Sequence, residues 1–108
     1  MVLILKFFGL GLNDKNQANV KLYCHGKLVF NDLTYNGKIV LNSMDDKEYF
    51  MVATFHNEKI LAPIYFKKDT YCFFFNHSYI SSRIITFTLF DYFYNLPIKE
   101  GELILWQR

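Results

Sequence analysis

The chain has 108 residues, a formal net charge of +2 and an apolar fraction of 52%, which gives room for one domain (residues 1–108) with one core and too little for two. Aromatic residues make up 19%, mostly twelve Phe and eight Tyr; such side chains suit pleated, half-buried surfaces, so the composition favours strands. The Lys residues are scattered and form no basic block, which argues against nucleic acid or an anionic membrane surface as partner.

In chain order, Val2 to Phe8 reads as a first strand. The opening MVLILKFFGLGL has no basic segment before its apolar run, is interrupted by Lys6, and lacks a small-residue cleavage site, so no export signal is expected. It is also too short to span a bilayer. The expectation is cytoplasmic synthesis without membrane insertion, compatible with incorporation into a virion or other assembly. Leu10 to Gln17 is a polar connection. Ala18 to Cys24 alternates, with Val20, Leu22 and Cys24 on one face and Lys21 and Tyr23 on the other. His25-Gly26 is a turn, and Lys27 to Asn31 runs back with Leu28 and Phe30 on one face. Asn36-Gly37 is the strongest turn signal, of the kind that closes a two-residue hairpin, and Lys38 to Asn42 follows as a strand.

Ser43 to Asp46 is a further turn. Lys47 to Phe55 and Lys59 to Phe66 are strands about His56-Asn57-Glu58, with Pro63 marking an edge position or a bulge. Lys67 to Asp69 is a solvated turn. The nearly continuous aromatic run Tyr71 to Phe75 predicts a central strand or one covered on both faces. In the next strand Ile85, Phe87 and Leu89 alternate with Ile84, Thr86 and Thr88. Asp91 to Pro97 is a polar-aromatic loop, and Lys99-Glu100-Gly101 turns into a last strand, Glu102 to Trp106. Strands recurring every ~8–12 residues predict an all-β antiparallel sandwich or barrel.

Residues 18 to 54 carry a more particular pattern. Ala18, Val20, Leu22 and Tyr23 precede a turn at Gly26 and Lys27; Thr34, Asn36, Gly37 and Lys38 lead to Ile39 and Leu41; then come Tyr49, Val52 and Ala53. This resembles the transthyretin-like (prealbumin-like) sandwich domains, which include carboxypeptidase regulatory domains and the B-type repeats of surface adhesins. The resemblance implies an antiparallel β-sandwich of about seven to eight strands, transthyretin- or immunoglobulin-like. The adhesin repeats often hold a Lys-Asn isopeptide bond. Lys6 sits where its Lys would be, but Ala53 stands where the promoting acid belongs and the last strand offers no Asn, so no such bond is expected and Lys6 reads as an outward-facing residue.

No residue grouping points to catalysis, a cofactor or a metal. Cys24, His25, Cys72 and His77 lack the spacing of a zinc site; two cysteines are too few for a disulfide framework and read as core thiols, with a single Cys24–Cys72 bridge as the alternative. Asp45, Asp46 and Glu48 read as turn chemistry and not as a calcium loop. Asn76-His77-Ser78 is a glycosylation sequon by its letters, expected to go unused without an export signal. The segment Asp91-Tyr92-Phe93-Tyr94-Asn95 sets Tyr beside Asp and Asn, a composition suited to contact with a sugar or a protein. The leading expectation is a non-enzymatic structural or assembly protein that self-associates or meets a protein partner, with the Asn, Lys, Ile, Phe and Tyr bias pointing to an AT-rich bacterial, phage or mobile-element source. The alternative is a monomeric carbohydrate- or peptide-binding module that uses Asp91, Tyr92, Tyr94 and Asn95.

Overall fold

In a computed structural model, residues 2–42, 45, 47–65, 70–78, 82–91 and 96–107 are described. They are all-β and contain no helix: β1 (Val2–Phe8), β2 (Asn19–Cys24), β3 (Lys27–Leu33), β4 (Lys38–Asn42), β5 (Glu48–Phe55), β6 (Glu58–Tyr65), β7 (Thr70–Asn76), β8 (Ile84–Asp91) and β9 (Pro97–Gln107). The strand count is nine where seven or eight were expected, because each apolar run bounded by turns forms its own strand, short β4 included. The strands follow one hydrogen-bonded order, β3-β2-β5-β6-β9-β8-β7-β1-β4. Every pairing is antiparallel except that of β1 with β7, which is parallel. The sheet curls until it is nearly barrel-shaped.

Alternation explains the core. Val20, Leu22 and Cys24 point inward from β2, Tyr49, Met51, Ala53 and Phe55 from β5, and Ile60, Ala62 and Ile64 from β6. Leu3, Leu5 and Phe7 from β1, Phe73 and Phe75 from β7, and Ile85 and Leu89 from β8 complete a single cluster. β7 lies between β1 and β8, as its aromatic run predicted. Its inward Phe75 stacks on Phe7 (centroids 5.0 Å apart) and its outward Phe74 stacks on Phe8 (4.7 Å), each contact adding to simple burial.

The local turn at Asn36-Gly37 is present, but it does not join a hairpin of two paired strands. Tyr35 and Lys38 exchange both backbone hydrogen bonds (2.9 and 3.0 Å), and Asn36 and Gly37 both have positive φ (50° and 72°), which glycine adopts without steric cost. Past that single bridge the arms separate: β3 pairs with β2, and β4 pairs with β1. The two strands flanking the turn therefore form opposite edges of the sheet. Thr34 fixes this corner. It is fully buried, its N–H donates to the Ala18 carbonyl (2.9 Å) and its Oγ1 accepts from the Ala18 N–H (2.9 Å).

Two further expectations are corrected. Leu28 and Phe30 do not share a face, because a bulge shifts the β2–β3 register: Leu22 faces Phe30 while Tyr23 faces Leu28. One extra residue reverses the alternation beyond it, so Phe30 packs on the core and Leu28 is exposed. Lys99-Glu100-Gly101 is not a turn. It lies within β9, paired with Leu89, Thr88 and Phe87 of β8. β9 also pairs with β6, but only through Glu58, Lys59 and Ile60. Beyond Ile60 the two strands have no ladder pairing, and Pro63, which has no N–H to donate, stands on this unpaired stretch, as an edge position requires.

Candidate functional site

Asp91 ends β8, while Tyr92, Tyr94 and Asn95 lie outside the described residues, as do Ser43, Met44, Asp46 and Lys67 to Asp69 of the expected turns. Among the described residues, no three His, Cys, Asp or Glu side chains gather where they could hold a metal ion. Cys24 and Cys72 are buried and unpaired with each other. Burial pushes the Cys72 thiol pKa up, partly offset by the charge of Lys6, so this thiol is a poor nucleophile at neutral pH. His77 is held by structure: the Ser82 carbonyl, 2.7 Å from Nε2, accepts only, so Nε2 carries the proton.

One opening is a pocket of about 50 Å³ between the unpaired parts of β6 and β9, lined by Ala62, Pro63, Phe73, Phe75, Phe87 and Leu103 with Lys99. Small-molecule sites enclose ~300–1,000 Å³, so this opening has room for water and not for a metabolite. Two open depressions on the outer surface are larger. One, of about 590 Å³, is bordered by Tyr23, His25, Glu48, Phe50 and Pro63. Its floor follows from register: Tyr23, Phe50 and Pro63 are successive cross-strand partners over β2, β5 and β6, all on the outward face, and Leu28 of β3 continues the row beyond the depression. The other, of about 350 Å³, lies beside Lys6, Phe8, Gly11, Tyr35, Asn36 and Lys38.

The outer face also carries an apolar row that sequence reasoning missed. Ile84 and Ile104 are direct cross-strand partners, and Trp106 follows Ile104 on the same face. They are 47%, 54% and 48% exposed. Period-two alternation assigns such residues to the solvent side one at a time, and only the β8–β9 register brings them together into a row. Arg83 anchors the row. Its guanidinium donates from Nη1 and Nη2 to the two carboxylate oxygens of Glu58 (3.1 and 2.8 Å) and to the Leu105 carbonyl, while the Leu105 N–H donates to the Arg83 carbonyl (2.7 Å). This two-pronged ion pair ties the start of β8 to β9 and β6. The Arg83 hydrogen bond, with the charges of Arg83 and His77, holds the Glu58 pKa below its ordinary value against some desolvation.

Comparison with family models, with curated proteins and with solved structures gives no match for this chain.

Proposed function

We propose that the domain is a non-enzymatic structural or assembly protein that works through protein–protein contacts. The observation that carries this reading is the Ile84, Ile104 and Trp106 row, contiguous, apolar and outward on a fold whose buried side-chain polar atoms are hydrogen-bonded among the described residues. Single exposed apolar residues are ordinary, but a contiguous patch marks an interaction surface. Trp and Arg are also the residue types that most often anchor interfaces, and here Arg83 lies beside Trp106's strand. Incorporation into a phage or other large assembly belongs to the same reading. The test is solution mass by light scattering across a dilution series, repeated with Ile104→Lys. A dimer or larger species that the substitution dissociates supports the reading; a monomer at every concentration sinks it.

A finer reading of the fold goes with this one: a transthyretin-like sandwich whose two halves share β9. The hydrogen-bonding of β9 to β8 along most of its length and to β6 at its end supports that division, and the inward Ala18, Val20, Leu22 and Ala53 support the resemblance over residues 18–54.

The depression over Tyr23 and Phe50 favours a second reading, a monomeric module for carbohydrate or peptide. Two aromatic side chains lie side by side on an open sheet face with His25 and Glu48 at the border, an apolar platform with polar groups to orient a ligand. Glycan titration followed by NMR, with Tyr23→Ala and Phe50→Ala, tests it. Shifts confined to this face and lost in both variants support it; the absence of shifts removes it.

A further inference from the structure

Lys6 of β1 and Lys38 of β4 are direct partners in the antiparallel ladder. Leu5 and Phe7 on either side of Lys6 are buried in the core, as is Ile39 beside Lys38, so both lysines project from the outer face. Directly opposed strand residues have Cβ atoms only ~5 Å apart, and like charges placed there destabilise the pairing. A sequence with this conflict gives up local stability, and such conflicts concentrate at functional sites. Both lysines border the depression of about 350 Å³ whose remaining margin includes Phe8, Tyr35, Asn36 and Gly11. No carboxylate lines it among the described residues, so its only charges are positive.

We propose that this depression binds a phosphate-type oxyanion, with Lys6 and Lys38 converging on it from neighbouring strands. Two ammonium groups on stems this close reach different oxygens of one tetrahedral anion, and ammonium-to-oxyanion hydrogen bonds are stronger than neutral ones. Tyr35 is 66% exposed and stands at the margin with the Asn36 amide, two further donors. The depression is roomier than one anion needs, and Phe8, Leu12 and Tyr35 give it apolar walls. The fitting ligand class is therefore a small phosphorylated molecule, such as a sugar phosphate, whose ring lies against those walls. The anion relieves the Lys6–Lys38 repulsion, so binding and folding stability are linked. This site is independent of the Ile84–Ile104–Trp106 row, and either can fail alone.

The test follows thermal unfolding of the full chain at fixed ionic strength in sodium chloride, inorganic phosphate, a hexose phosphate and the unphosphorylated hexose. The expected result is a saturable rise in melting temperature with phosphate, a larger one with hexose phosphate, and none with the hexose. Lys6→Met and Lys38→Met should each weaken the apparent affinity by about two- to fivefold. Lys38→Glu should melt higher than the wild type in chloride, because it turns a repulsive cross-strand pair into an attractive one, and should lose the phosphate response. A hexose phosphate that acts no better than inorganic phosphate limits the site to the bare anion and overturns the sugar-phosphate assignment. A wild type that responds equally to chloride and phosphate, or a Lys38→Glu variant that keeps the phosphate response, overturns the site altogether.

Discussion

Gly101 and Phe87 are direct partners across β8 and β9, and the Phe87 ring occupies the space above Gly101: a Cβ built at Gly101 would meet ring carbons at 2.6 and 2.7 Å. The ring covers a bare stretch of backbone, the known remedy for a glycine within a strand. Gly101→Ala forces the ring aside and should cost ~1–3 kcal/mol, as overpacking does. Phe87→Leu in the same chain should recover part of this, giving a coupling term in a double-mutant cycle by urea unfolding. Additive effects of the two substitutions would show that the ring and the glycine are not in contact.

Thr34 holds the corner where the chain leaves one sheet edge for the other. Thr34→Val keeps the shape but removes the acceptor for the Ala18 N–H, which is buried. Stranding a buried donor costs ~1–3 kcal/mol. Thr34→Ser keeps the hydroxyl and should cost less than Val does, although it removes a methyl group. Denaturant midpoints of the three chains decide this; a valine variant as stable as the serine one would mean that the hydroxyl does not hold the corner.

These two positions show what was legible in the sequence. Strands whose alternation is uninterrupted, such as Val20-Leu22-Cys24 and Ile85-Leu89, point as the pattern requires. Turns with glycine at positive φ were readable too, at His25-Gly26 and Asn36-Gly37. What a turn residue does not encode is partner choice. Asn36-Gly37 sets the local reversal, while the partners of β3 and β4 are set by which apolar faces cover which. The bulge opposite Leu22 and Tyr23 was hidden because nothing in Leu28-Val29-Phe30 marks the extra residue. Gly101 was read as a turn because glycine usually is one; only the ring of Phe87, fourteen positions away in sequence, makes it a strand residue. The Ile84–Ile104–Trp106 row was hidden for the same reason, since Ile84 and Ile104 stand twenty positions apart and meet only through the β8–β9 register.

The ion pair of Arg83 with Glu58 predicts an acid dependence. The Glu58 pKa is lowered in the folded chain, first by the Arg83 hydrogen bond, so its contribution is present above the unfolded value and fades as pH falls through the folded one. The pair is partly exposed, with side chains 44% and 28% accessible, so solvent screens it and the effect is small. Glu58→Gln should lower the urea midpoint at neutral pH, and the difference from the wild type should shrink as pH falls below the ordinary carboxylate range. A difference that stays constant down to low pH would mean that packing, and not charge, accounts for it.

Trp106 is the one tryptophan of the chain, and it is half exposed at the end of the Ile84–Ile104 row, which makes it a direct reporter of whatever covers that row. In a dilute monomer its emission should lie close to that of the unfolded chain, and acrylamide should quench it readily, because an indole in contact with water gains little from folding. Assembly over the row removes water from the ring. Raising the protein concentration should therefore shift the emission to shorter wavelength and lower the quenching constant, over the concentration range in which light scattering records the change of mass. Ile104→Lys sets a buried charge in the same contact, which is costly without a partner, and should abolish both changes while leaving the dilute spectrum as it was. An oligomer that forms with no change at Trp106 would put the contact elsewhere, with the exposed face of Leu28, Tyr23 and Phe50 as the next surface to substitute.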